Sequence, residues 1–188
     1  MGSKSDRTKA RIMDAARHEF SRRGYQAATV RSIAGEAGID PSMIIRYFDS
    51  KAGLFDAVCE ISLRLPSLRG VPRGEVGSVL VKHFLERWEE SEQGDDSLLV
   101  LLRSAAVSEE AADRMKELFA EQLLPALAEV VEDPTEVGPR VGLVASQMLG
   151  LALTRSILRI PPMAGMSGAD VVARVGPTVQ TYLTGPLP

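Results

Sequence analysis

One cysteine, Cys59, is present in the 188 residues, so no disulfide can form within the chain. A reducing compartment, hence the cytoplasm, is the expected setting. Only two histidines occur, His18 and His83, and no Cys or His pair has the spacing of a zinc site, so no metal is expected. Cys59 has neither a histidine nor a basic residue beside it in the sequence, so nothing would activate the thiol. No catalytic constellation is legible, and the chain reads as a non-enzyme without a cofactor. Runs of about eighteen apolar residues are lacking as well, because Gln147, Thr154 and Arg155 interrupt the greasiest segment; no membrane span is expected. The opening MGSKSDRTKARIM is polar and basic without the apolar stretch of a secretory signal. No run alternates apolar and polar residues well enough to predict a strand.

What remains is helical. Hydrophobic residues make up 45% of the chain, enough for a substantial core, and their spacing predicts an all-α protein of about nine helices. The first covers about Asp6 to Arg23, with Ile12, Ala15, Ala16, Glu19 and Phe20 on one face and Gly24 as its stop. Thr29 caps a second that runs to about Ala37 and ends at Gly38. Asp40 and Pro41 open a short third helix, since the carboxylate can accept from free amides and proline at the first helical position loses no needed donor. Ser50 caps a fourth, from Lys51 to about Leu65. The stretch PSLRGVPRGEVG, Pro66 to Gly77, is rich in proline and glycine and separates the halves. Five more helices are expected: Glu75 to Glu90, Ser97 to Ala106, Glu109 to Val131 with a kink at Pro125, Pro139 to Ile160, and Ala169 to Leu183 disturbed at Gly176-Pro177. Ser108 and Asp133 are cap candidates, and Pro161-Pro162 reads as a stop.

Charge is unevenly shared. The whole chain carries a net charge of -3, but its first 56 residues hold ten Lys and Arg against seven Asp and Glu, and the remainder twelve against eighteen. A positive N-terminal unit fits a polyanion partner, although a fluctuation of a few charges would give the same numbers.

Residues 33 to 48 sharpen that partner. A helix-turn-helix needs small residues where two helices approach, a glycine in the turn and an apolar plug from the second helix. Ala34, Gly38 and Ile44 supply these, supported by Ile33, Ala37 and Ile39. At about 100° per residue, Ile44 and Phe48 share the inward face of the third helix, Ser42 and Arg46 point the opposite way, and Met43 and Ile45 lie on the flanks. An ordinary pair of short bundle helices is the alternative.

The segment RIMDAARHEFSRRGYQAATVRSIAGEAGIDPSMIIRYFDSKAGLF, Arg11 to Phe55, resembles the DNA-binding domain of the TetR/AcrR family of bacterial transcriptional regulators. The match runs without a gap through Ala16, Phe20, Gly24, Tyr25, Thr29, Ile33, Ala34, Ala37, Gly38, Phe48, Lys51 and Leu54. It implies three N-terminal helices on double-stranded DNA, a fourth that connects, and a helical body that dimerises and senses a ligand. The corresponding division is residues 1–50 for DNA binding and 51–188 for effector binding and dimerisation. Arg46 is the first choice for a base contact, since a guanidinium can address guanine O6 and N7 together. Ser42 can read a base edge, Arg31 can contact base or phosphate, and Met43 and Ile45 can touch thymine methyls or sugar edges. Thr29 and Lys51 match family positions that hold phosphates. Lys4, Arg7, Lys9 and Arg11 form a basic arm. Ile45 stands where the family usually has tyrosine, and Tyr47, where it often has histidine, is expected to replace part of that phosphate contact.

In the larger half, SLLVLLRSAAV is apolar nearly all round, so its helix should be buried, with Arg103 needing a partner: an ion pair, a carbonyl or an anionic ligand. A cavity between the helix of Glu75 and that of Met148 would be apolar, with candidate lining residues His83, Phe84, Trp88, Arg103, Gln147, Met148 and Arg155; each reads equally well as plain core or surface. Gly142, Ser146 and Gly150 form a stripe of small residues. The resemblance implies that this helix and the last one, through Val172, Val175, Val179 and Tyr182, meet their twofold mates in a homodimer. The expected function is a transcriptional regulator, more often a repressor, released from a palindromic operator by a hydrophobic small molecule. A regulator without an effector and a helical interaction module are the alternatives.

Overall fold

The computed structural model describes residues 4–92 and 97–186, and among these every regular element is helical. Helix α1 (Lys4–Ala27) breaks at Gly24, whose φ of 73° is open to a residue without a Cβ. Then follow α2 (Val30–Ala37), α3 (Pro41–Phe48), α4 (Lys51–Val58), α5 (Val76–Glu92), α6 (Ser97–Ala105), α7 (Glu109–Leu118), α8 (Leu124–Ala128), α9 (Val137–Ala152), α10 (Pro161–Ala164) and α11 (Gly168–Thr184). No helix among the described residues is long and apolar enough to cross a membrane, and no cluster of three metal-ligating side chains occurs among them.

Four boundaries differ from expectation. α4 stops at Val58 rather than Leu65, and the chain then runs extended, with Ile61, Leu63 and Leu65 half-buried and Ser62 and Arg64 exposed. The alternation in ISLRLP was there to be read, and Pro66 disfavours helical geometry at the residue before it. The kink at Pro125 becomes a π-helical turn at Phe119–Leu123 between α7 and α8, a widening that accommodates the missing proline amide. Regular geometry in α9 ends at Ala152, and a second π-helical turn fills Leu153–Ile157. Pro161-Pro162 stops that run and also opens α10, as proline does at a first helical position. By contrast, α11 continues through Gly176 and Pro177.

Compactness divides the chain differently from the single cut expected after residue 50. One unit comprises Met1–Ile61 and Ser91–Lys116; the other comprises Ser62–Glu90 and Glu117–Pro188. α6 belongs to the first because its buried residues, Val100, Leu101 and Ser104, face α1. The core of the first unit holds Ile12, Phe20, Ile33, Ile44, Leu54 and Phe55, with the Phe20 and Phe55 rings edge to face at 5.2 Å. Cys59 is buried there, and burial pushes its thiol up to about 12. In the second unit, Leu80, Val81, Val141, Val144, Met148, Val171, Val179 and Leu183 form the core. Gly77 and Gly176 mark where α5 and α11 approach most closely: a Cβ on Gly77 would meet the Gly176 carbonyl oxygen, and one on Gly176 would lie 2.8 Å from Ser78 Oγ.

Candidate nucleic-acid interface

The turn between α2 and α3 is set by its caps. Thr29 Oγ1 accepts from the Ser32 amide at 3.0 Å while the Thr29 amide donates to Ser32 Oγ at 3.1 Å, a reciprocal box that starts α2. Gly38 ends it at φ 62°, where the Arg11 guanidinium donates to the Ala37 carbonyl. Asp40 starts α3 by accepting from the Ser42 amide at 2.9 Å and from the Ser42 hydroxyl. These bonds, the hydroxyl's first, hold the Asp40 carboxyl below its usual range.

From these caps the orientation of α3 follows. Ile44 and Phe48 are buried where α3 packs on α2 and α4. Ser42, Ile45 and Arg46 face outward, Ile45 with 46% of its surface exposed, and Met43 and Tyr47 flank them half-buried. Nearly half of the Ile45 surface stays in water, apolar area that a partner's apolar group could still cover. The Arg46 guanidinium lies 5.2 Å from the Tyr47 ring centroid, a cation–π arrangement that restrains a long side chain. Ser5, near the start of α1, donates its hydroxyl to the Tyr47 oxygen at 3.1 Å. That bond first, then Arg46, lowers the Tyr47 hydroxyl from its ordinary value. Ser42 has spent its proton on Asp40, so toward a base edge it offers lone pairs alone.

Lys51 is engaged within its own unit. Its ammonium donates to the Tyr25 carbonyl at 3.0 Å and the Ala28 carbonyl at 3.2 Å and sits 4.3 Å from the Tyr25 ring centroid. It therefore ties the loop before α2 to α4 and fixes where Thr29 begins its helix. Arg31 is exposed on the second turn-face of α2, and Thr29 is exposed at its N-terminus. Of the basic arm, Arg11 serves the α2 C-terminus and Lys9 lies 5.6 Å from the Phe48 ring centroid; Lys4 and Arg7 are exposed.

The other candidate residues fall into separate groups. Arg103, in the first unit, donates to the Ser21 carbonyl at 2.8 Å, its partner among the described residues. His83, Phe84, Trp88, Gln147, Met148 and Arg155 lie in the second unit. His83 Nε2 donates to the Leu63 carbonyl at 3.0 Å, Phe84 and Trp88 stack with centroids 5.7 Å apart, and Met148 is core. Gln147 is half-buried. Arg155 donates to the Met163 and Met166 carbonyls, each at 2.7 Å, and so caps α10 and the turn after it.

Ser146 and Gly150 face outward on α9 beside Leu143, Leu149 and Leu153, which are 36–42% exposed. A Cβ added to Gly142 or Gly150 would meet nothing within 4 Å. Val172, Val175 and Tyr182 are half-buried on α11. Val179 is the exception: at 0% exposure it is core of its own chain and cannot reach a partner, because helical spacing turns it to the same side as Val171 and Leu183.

Two family models match this chain. "Bacterial regulatory proteins, tetR family" covers residues 12–58, and "Tetracyclin repressor-like, C-terminal domain" covers residues 74–183, more than half of the chain. The chain belongs to the TetR family. Curated relatives include the Bacillus subtilis uncharacterized HTH-type transcriptional regulator YvkB, 28% identical over 111 residues, 58% of this chain and 59% of the relative. Another is the Streptomyces coelicolor HTH-type transcriptional repressor SCO4008, 43% identical over 53 residues, 28% of each chain. The matched span is thus less than two thirds of either relative's length. A solved TetR-family regulator of Streptomyces coelicolor, SCO0857, superposes with a TM-score of 0.63 at 24% identity, covering 97% of this chain and 99% of that one, which shows a shared fold.

Three further residues of the first unit shape this region. Ser5 carried no signal, being one polar residue in a polar arm. Arg11 was read as part of a diffuse positive charge rather than as the cap of α2. Gly53 had a signal: it stands three residues after the capping Ser50, and a Cβ there would collide with the Phe48 carbonyl oxygen, so glycine lets α4 start directly over the end of α3.

Proposed function

We propose that the chain is a dimeric, operator-binding transcriptional regulator of the cytoplasm whose second unit takes a hydrophobic small molecule. The observation that carries the DNA-binding part is the outward face of α3, where Arg46, Ser42 and the exposed Ile45 stand opposite the buried Ile44 and Phe48. TetR-family membership and a positively charged first 56 residues support the same reading. Arg46 reads a guanine, Ile45 and Met43 meet thymine methyls, and Thr29, Arg31 and Tyr47 sit at the phosphates. Lys51 contributes by holding the loop of Thr29. Two such helices in a twofold dimer enter successive major grooves about 34–36 Å apart, which calls for a palindromic operator. The outward stripe of α9 with the half-buried residues of α11 is the homodimer face. Repression is favoured over activation because SCO4008 is named a repressor. A ligand that binds better to a non-operator conformation weakens DNA binding by the same factor by which DNA weakens the ligand.

The test begins with duplexes enriched from a random-sequence pool by the full-length protein. Arg46→Ala should lower affinity for the enriched duplex by about 1–3 kcal/mol and flatten the preference at one base position, while binding to scrambled duplex changes little. Enrichment of no sequence at all would sink the regulator reading in favour of a helical interaction module. A thermal-shift screen of hydrophobic compounds without a single stabilising hit would leave a regulator without effector.

A further inference from the structure

The extended segment after α4 is held in an unusual way. Arg64 has φ 45°, a left-handed conformation that is unfavourable for a residue with a Cβ and persists only where the surroundings impose it. Those surroundings are side chains of the second unit. Arg87 of α5 donates to the Ser62 carbonyl at 3.3 Å, the Leu63 amide donates to Gln122 Oε1 at 2.8 Å, and His83 of α5 donates to the Leu63 carbonyl at 3.0 Å. Three side chains from two elements thus meet three consecutive polar groups: an acyl carbonyl, the amide N–H attached to it, and the carbonyl one carbon further on. Any N-acylated α-amino acid presents the same sequence of groups.

The neighbourhood is apolar. On α5, His83 and Arg87 are spaced one turn apart beside the stacked Phe84 and Trp88. Gln122 lies in the π-helical turn, with half-buried Leu123 next to it and Phe119 one turn before; such widened turns re-aim side chains and are frequent at functional sites. A few converging polar groups in an apolar setting are what a small-molecule site requires.

We propose that His83, Arg87 and Gln122 form a recognition site for an N-acylated apolar α-amino acid unit, with Ser62-Leu63 as its resident occupant, displaced when a ligand takes over the three bonds. The inference deepens, and rests on, the reading of the second unit as effector-binding. The resident occupant is tethered and so competes at a millimolar effective concentration. A ligand that acts well below millimolar concentration must therefore be more rigid or more apolar than a leucine residue, as a cyclic dipeptide or an acylated amino lactone is. Ser62 follows directly on Ile61, the last residue of the first unit's opening stretch, so exchange of occupant changes the segment that joins the two units.

The test measures amide hydrogen exchange of the full-length protein over residues 61–68 with N-acetyl-L-leucine methylamide at millimolar concentration, and with its D enantiomer. The L form should speed exchange of this segment at least about tenfold, reporting its release, and the D form should not. His83→Ala and Gln122→Ala should exchange fast from the start and show no further response. Because either might disturb the fold, Leu63→Pro provides a second reading: it removes the amide proton that Gln122 accepts, keeps the three recognition side chains, and should bind the L probe at least about tenfold tighter than wild type. Unchanged exchange in wild type together with equal affinity in Leu63→Pro overturns the inference. If the probe releases the segment while the enriched duplex stays bound, the site stands and the effector reading falls. If a hydrophobic compound stabilises the protein while the probe leaves the segment untouched, the effector reading stands and the site falls.

Discussion

Glu19 puts a carboxylate inside the first unit, with 2% of its side chain exposed, at a position that the helical pattern of α1 assigns to the core. Burial by itself would raise its pKa. Hydrogen bonds from Arg22 and Ser32 and the charges of Arg23 and Arg22 outweigh that and hold the carboxyl below its ordinary range. The pairing therefore stabilises the fold above about pH 4.3, the unfolded value, and that stability is lost as pH falls through the lower folded value. Glu19→Gln should cost about 1–3 kcal/mol near neutrality, reduced by the exposure of both arginines, and the difference from wild type should be smaller at a pH well below about 4.3. Urea unfolding at both pH values measures it; a deficit of equal size at each would show that shape, not charge, makes Glu19 matter. The same scale explains the DNA face. Spacing placed Ser42, Ile45 and Arg46 outward, but that Ser42 has given its proton to Asp40 and that Lys51 is tied to Tyr25 and Ala28 depends on groups 2 to 26 residues away.

At the scale of elements, the caps were legible and the crossings were not. Thr29, Asp40 and Ser50 act on amides two or three residues away, and Gly24 and Gly38 take left-handed φ values within their own turn, so local sequence suffices. The early end of α4 is partly legible, in the alternation of ISLRLP and in Pro66, while the bonds from Gln122 and His83 that hold the extended chain at Leu63 are not. The approach of α5 to α11 depends on Gly77 and Gly176, separated by about a hundred residues of chain, and on Gln180, whose Oε1 accepts from the Gly77 amide at 2.9 Å while its Nε2 donates to the Arg73 carbonyl at 2.7 Å. Gly77→Ala should destabilise by about 1–3 kcal/mol, since a Cβ there meets backbone rather than a flexible side chain. Gly142→Ala, which meets nothing within 4 Å in the monomer, should instead stabilise by up to about 1 kcal/mol in the Ser146→Arg background, since alanine is the better helix former. Equal effects of the two in denaturant titrations would refute this account of the crossing.

On the scale of the whole molecule, we propose that the outward stripe of α9 carries assembly. Ser146, Gly150, Leu149 and Leu153 leave an apolar strip with room for a close neighbour. Ser146→Arg should shift the protein toward monomer in sedimentation velocity and weaken binding to the enriched palindromic duplex by more than tenfold, because two half-sites then bind independently; a dimer that persists unchanged would place the interface elsewhere. What the sequence by itself determined was the all-helical class, the caps, the turn of the helix-turn-helix and the face α3 turns outward. These depend on interactions within a few residues, where periodicity and capping chemistry act. Only the tertiary structure decided that α6 joins the first unit, that Val179 is core, that Arg103 and Lys51 serve carbonyls, and that Ser62-Leu63 is gripped by His83, Arg87 and Gln122. Each of these is a bond or contact between residues distant in sequence, and the partner of a polar group cannot be read from its own surroundings in the chain.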